Sequence, residues 1–139
     1  MINRVLDVQN LNVGQITTPM DRAITVSAET PMRDVLSLSR EHGFTRLPVW
    51  KDTSGQRRVA GVLSLKTLLY QAEFDPKRKA GDYLKPALFI EEEARLDTVL
   101  RRMQRGGLRL AIVLGRDKME LGIVTLEDVL KAMFGEVRL

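Results

Sequence analysis

Cysteine is absent from the 139 residues, and histidine occurs once, as His42. The first absence excludes disulfides, thiolate-bound zinc, iron–sulfur clusters and thiol nucleophiles. It fits a reducing compartment. The second excludes a metal site built from several histidines, and with it the two-histidine metalloprotease motif. Aromatic residues make up 5%, thin for a platform that stacks single-stranded nucleic acid. No apolar run approaches the ~20 residues of a membrane helix. Met1-Ile2-Asn3-Arg4-Val5-Leu6-Asp7 lacks the apolar core and cleavage site of a signal peptide. There is no glycine-rich phosphate loop and no serine-elbow sequence. Neither sign of charge dominates: 22 Lys+Arg against 18 Asp+Glu leave +4. That balance allows a polyanion or a phosphorylated small molecule as partner. With 44% hydrophobic and 29% charged residues, the composition is that of a soluble globular chain.

What is present is a repeat. Gly14-Gln15-Ile16-Thr17-Thr18-Pro19 reads against Gly81-Asp82-Tyr83-Leu84-Lys85-Pro86. Ile24-Thr25-Val26 reads against Leu88-Phe89-Ile90, and Met32, Val35 and Leu36 against Leu96, Val99 and Leu100. Arg46-Leu47-Pro48-Val49 reads against Arg109-Leu110-Ala111-Ile112. Gly61-Val62-Leu63-Ser64-Leu65 reads against Gly122-Ile123-Val124-Thr125-Leu126. The blocks keep their order and nearly their separation. Each copy has about sixty residues, a size at which one alone is marginal.

Each copy predicts the order β-α-β-β-α. Strands are expected at Ile24–Val26, Leu47–Trp50 and Val59–Leu63, then at Leu88–Ile90, Leu110–Leu114 and Leu121–Val124. Thr30-Pro31 reads as an N-cap followed by a first-turn proline. Glu91-Glu92-Glu93 reads as negative charge at the second copy's helix N-terminus. Gly43 and Gly106-Gly107 end the two amphipathic helices. Ser54-Gly55 and Gly115-Arg116-Asp117-Lys118 supply turns. Closing helices are expected over Leu65–Ala72 and Leu126–Phe134. Pro48 reads as a strand-edge or turn residue, and Gly14 and Gly81 as turn glycines. The class is α+β (α/β-like), tandem repeats with pseudo-two-fold symmetry and sheets covered by helices on one face. The expected division is an arm at 1–12, repeats at 13–74 and 80–134, a linker at 75–79 and a stub at 135–139.

The sharpest local feature is Thr125-Leu126-Glu127-Asp128. A hydroxyl at the turn from strand to helix caps free N–H groups. Those N–H groups and the helix dipole also suit a phosphate. A carboxylate three residues on faces back and can accept from both hydroxyls of a ribose. The alternative is a helix cap with an acidic first turn and no ligand. The first copy has Ser64-Leu65-Lys66-Thr67 there, with a hydroxyl where the carboxylate would be. A hydroxyl cannot match a carboxylate's double acceptance, so a first-copy site is expected to be weak or empty.

Glu127 and Asp128 are adjacent on a helix and face different ways, which is poor for paired acid–base work. No nucleophile or attacking-water base is recognisable, and the chain is not expected to be an enzyme. Arg101, Arg102 and Arg105 read as the polar face of a helix, open to solvent, anionic lipid or a partner domain. Lys77-Arg78-Lys79 reads as a linker charge run. His42 reads as an exposed or capping residue. Phe44 and Trp50 read as core or interface, and Met103, Met119 and Met133 as gap fillers.

The two β-α-β-β-α units, each closing on Gly-Val/Ile-x-Ser/Thr before a helix, resemble a pair of CBS domains, a Bateman module, over about residues 13–134. Ile16-Thr17-Thr18-Pro19-Met20, Thr45-Arg46-Leu47-Pro48-Val49-Trp50, Gly122 to Leu130 and Gly135-Glu136-Val137 are similar to the CBS pair of the CorC/HlyC and cyclin-M transporter family. The resemblance implies a cytoplasmic fragment, or a truncated relative, of a magnesium/cobalt efflux-type membrane protein, with transmembrane and C-terminal domains as partners and a homodimer of the disk type. It implies an adenine nucleotide (ATP, ADP or AMP), with or without Mg²⁺, in a cleft that regulates transport. By resemblance, Thr125 and Asp128 hold phosphate and ribose. Thr18 contributes from the first copy, Ile24 and Thr45 border the adenine, Arg46 precedes the strand beside it, and Arg109 reaches the phosphates. For both arginines a surface charge or ion pair is the competing reading. A dimerisation scaffold with an empty cleft is the competing function, and nucleic acid a distant one. Gly115-Arg116-Asp117-Lys118-Met119 and Lys131-Ala132-Met133 depart from the family's usual acidic pattern, which touches surface contacts rather than fold.

Overall fold

A computed structural model describes residues 11–68, 70 and 74–135. Nearly all of the expected arm at 1–12 and stub at 135–139 lies outside the described residues, as does part of the first closing helix. In chain order the elements are a 3-10 turn at Val13–Ile16, β1 (Thr18–Pro19), β2 (Val26–Ser27), α1 (Met32–His42), β3 (Arg46–Thr53), β4 (Gln56–Ser64) and α2 (Leu65–Leu68). A second 3-10 turn at Ala80–Tyr83 leads to β5 (Leu88–Glu91), α3 (Leu96–Gly106), β6 (Leu110–Leu114), β7 (Glu120–Thr125) and α4 (Leu126–Phe134). The β-α-β-β-α order occurs twice, in the expected α+β class.

The described residues form two compact units. The middle unit is Ile24–Ala87; the terminal unit joins the residues up to Ala23 with those from Leu88 on. In the middle unit β2 runs parallel to β3, and β3 antiparallel to β4. Its core gathers Val26, Met32, Val35, Leu47, Val49 and Leu63. In the terminal unit the order is β1-β7-β6-β5, with β5 parallel to β6 and the other pairs antiparallel. Its core gathers Val13, Ile90, Val99, Met103, Val113 and Val124.

The repeat boundaries and the packing units therefore differ. The block 13–19 joins the sheet that follows the linker, while its counterpart 80–86 packs on the sheet before it. Thr18 pairs with Ile123, and Lys85 bridges to Val62. A strand glycine makes each approach possible. A β-carbon on Gly122 would overlap the Thr18 carbonyl oxygen, and one on Gly61 would stand 2.6 Å from that of Lys85. Gly14 and Gly81 lie in the two 3-10 turns, as expected of turn glycines, and are also places of close approach, to Glu92 and Ala28.

Several local expectations need correction. Pro31, not Thr30, is the N-cap of α1 and gives no side-chain bond. Backbone carbonyls stand in for it: Arg78 O accepts from Met32 N at 2.8 Å and Pro76 O from Arg33 N at 3.0 Å. The segment 75–79 is thus part of the middle unit's fold. Arg95 caps α3, and Asp97 is the acidic residue of its first turn. Of the three glutamates, Glu91 ends β5 and the others lie before that cap. Pro48 is buried in the central strand β3, opposite Val62. Val62 turns its own N–H and C=O to Lys85, both at 2.9 Å, so the proline costs no ladder bond to β4. Gly43 and Gly107 end their helices at φ 74 and 62, and Ser54-Gly55 turns the first hairpin at φ 51 and 80, as expected.

Candidate functional site

The strand β7 ends at Thr125, whose extended backbone turns straight into α4. Leu110 pairs with Thr125, and Arg109 O accepts from Leu126 N at 2.9 Å, fixing the start of the helix against the start of β6. Thr125 Oγ1 accepts from Asp128 N at 3.1 Å. Asp128 Oδ2 accepts from Thr125 N at 3.0 Å. The pair is a closed capping box, half-buried on both sides. It uses one oxygen of the carboxylate. Asp128 Oδ1 has no protein partner among the described residues, and the Thr125 hydroxyl keeps its proton to donate.

Arg109 is exposed just before β6. Its Nη1 stands 3.4 Å from Glu127 Oε1, with the two side chains 55% and 63% exposed. The ion-pair reading of Arg109 is therefore realised, in a surface pair of little strength. It holds a guanidinium over the first turn of α4, beside the cap. Thr18 is half-buried on β1, at the β7 edge. Thr18, Arg109, Thr125 and Asp128 thus share the terminal unit.

Ile24, Thr45 and Arg46 belong to the middle unit. Ile24 is half-buried and precedes β2 rather than lying in it. Thr45 is exposed, and its carbonyl accepts from Leu65 N at 2.8 Å. Arg46 opens β3, half-buried, opposite Ser64. At the start of α2, Ser64 Oγ and Thr67 Oγ1 share a hydrogen bond of 3.1 Å. Two hydroxyls thus occupy the place of the hydroxyl–carboxylate box.

These bonds correct the repeat alignment by one residue. Thr45, not Arg46, is the counterpart of Arg109, since each accepts from the first residue of the following helix. Arg46 matches Leu110, since they pair with Ser64 and Thr125. Both sequences present an arginine before a leucine, which made the shifted alignment attractive. Glu127 as Arg109's partner was missed. The two lie 18 residues apart, and only the packing of α4 against β6 joins them.

The other end of the same sheet carries separate chemistry. A depression of about 330 Å³ is lined by Glu91, Glu92, Glu93, Leu114, Arg116 and Lys118. The Lys118 ammonium bonds Glu91 and holds that carboxyl below the ordinary glutamate range. Glu93 bonds Arg116 and raises its guanidinium above the usual value. No residue expected at the nucleotide site lies there. Among the described residues no group of three or more His, Asp or Glu is placed to hold a metal ion. No helix among them is long and apolar enough to cross a membrane.

The CBS domain family model matches residues 13–72 and 80–135. The magnesium and cobalt efflux protein CorC of Escherichia coli is 27% identical over 138 residues, covering 99% of this chain and 47% of that protein. The solved CBS domain of a bacterial CNNM/CorC family Mg²⁺ transporter in complex with ATP is 31% identical, with a TM-score of 0.82 and coverage of 98% and 96%. CBSX2 in complex with AMP is 27% identical, with a TM-score of 0.72 and coverage of 87% and 94%. The chain spans between 21% and 47% of the length of these and similar curated relatives.

Proposed function

The chain belongs to the CBS domain family, as a tandem pair of the CNNM/CorC transporter type, and from that premise we propose that it is a non-catalytic module that binds an adenine nucleotide, ATP with Mg²⁺ foremost. The observation that carries the reading is Asp128. Its half-buried carboxylate closes the helix cap with one oxygen and leaves the other without a protein partner among the described residues. That oxygen can accept from a ribose hydroxyl while the Thr125 hydroxyl donates to phosphate. Arg109 supplies a fork for the outer phosphates once it leaves Glu127. Thr18, in the same unit, completes the site; Ile24 and Thr45 at the base, and Arg46, are assigned to it by the family resemblance alone.

The ligand then acts by population shift. Different affinities for two arrangements of a homodimer would be read by the transmembrane and C-terminal domains of a parent that exports magnesium or cobalt. The module, with repeats at 13–74 and 80–134, works on the cytoplasmic side. The competing reading is a dimerisation scaffold with an empty cleft. It is favoured by the closed cap and the paired Arg109, since neither needs a ligand to satisfy it.

Calorimetric titration of the chain with ATP, with and without Mg²⁺, separates the two. The nucleotide reading expects saturable binding that Asp128→Ala abolishes. A folded wild type that takes up no heat-producing ligand would leave the scaffold.

A further inference from the structure

Helix α3 has two faces of opposite chemistry. At 100° per residue, Leu96, Val99, Leu100 and Met103 fall within an arc of about 100°, and Arg101, Arg102 and Arg105 within another arc of about 100° on the far side. Leu96, Val99 and Met103 are 0–2% exposed and build the terminal unit's core. All three arginines are exposed, and none has an ion pair or hydrogen bond among the described residues. The acidic groups nearby are engaged elsewhere. Asp97 faces Arg95 at 3.5 Å. Glu91 and Glu93, which border a depression with Arg102, are paired with Lys118 and Arg116. Three full positive charges therefore lie along about one turn of helix with no ion-pair partner among the described residues.

We propose that this face of α3 is a docking surface for an anionic lipid bilayer. The three guanidinium groups project from the convex outside of a helix and do not converge, so they match an extended plane of charge better than one small anion. The exposed aromatic that borders the same depression as Arg102 is Phe89, too little for a platform that stacks successive bases, which disfavours nucleic acid. No apolar residue of α3 lies within their arc, so contact is chiefly with headgroups. A basic residue near an anionic surface gains about fivefold in partitioning, so three together give about a hundredfold. The transporter family to which the chain belongs puts such a surface within reach. The inference is independent of nucleotide binding.

The test is co-sedimentation of the chain with phosphatidylcholine vesicles, alone or with one-third phosphatidylglycerol, at low and high salt. Wild type is expected to bind the mixed vesicles and not the neutral ones, and to be released by salt. Arg101→Glu with Arg105→Glu should lose most of that binding with an unchanged melting temperature. Lys77→Glu with Arg78→Glu makes the same change of net charge elsewhere and should keep it. Polyglutamate is added as a soluble acidic polymer. Absence of wild-type binding, equal loss in both double variants, or binding to polyglutamate but not to vesicles would overturn the proposal. The last result would point to an acidic protein partner.

Discussion

At Asp128 the helix cap and the proposed ligand site use different oxygens of one carboxylate, so the two roles can be separated. In Asp128→Asn the amide oxygen still accepts from Thr125 N, and the capping box survives. The charge that strengthens acceptance from a ribose is gone. Denaturant unfolding should then shift by less than about 0.5 kcal/mol, while ATP affinity falls about tenfold or more. Equal losses in both would mean that Asp128 is a cap and nothing else. The Thr-x-x-Asp spacing was legible in the sequence because a capping box is a local, three-residue device. The partner of Arg109 was not, because it depends on how a strand and a helix pack.

The element scale is where the sequence reading met its limits. The six strands expected from the repeat all form, and α4 has the expected bounds. The start of α1 was misread, because its free N–H groups are met by carbonyls of Pro76 and Arg78, more than forty residues away in sequence. Thr30-Pro31 gives a local signal for a cap, and a distant segment supplies the bonds instead. Pro48 was misread for a related reason: Lys85 relieves Val62 of its need for a β3 partner. β1, with two residues, has no sequence period of its own. It exists because Gly122 leaves room for it. Gly122→Val should expel β1 from β7 and destabilise the chain by roughly 2 kcal/mol or more. The check is denaturant unfolding with amide exchange at Met20, whose N–H bonds Leu121 O at 3.0 Å. Unchanged protection there would show that the strand tolerates a side chain beneath it.

At the scale of the whole molecule, two copies of one motif do not mean two separable halves. Each sheet takes its finishing segment from the block that leads the other repeat. A fragment cut at repeat boundaries, 13–74, carries the block 13–23 without the sheet it packs on, and lacks 80–87. A fragment cut by packing, 24–87, keeps the Gly61–Lys85 approach and the caps of α1. At about sixty residues both are marginal, but circular dichroism and amide dispersion should show 24–87 as the more folded. The reverse order would contradict the division into units drawn from the contacts. The repeat itself was legible because equivalent burial imposes equivalent patterns. The exchange of leading blocks was not, because hydrophobic spacing does not say which of two like sheets a segment will join.

The central claim is that the terminal unit's cap, rather than its charged depression at the opposite end of the sheet, holds the nucleotide. Amide chemical-shift mapping of the labelled chain during an ATP–Mg²⁺ titration tests it most directly. The account predicts saturable shifts centred on Arg109 and Thr125 to Asp128, with those of Glu91 to Glu93 and Arg116 to Lys118 nearly still. Shifts centred on the glutamates and Lys118, or none that saturate, would contradict it.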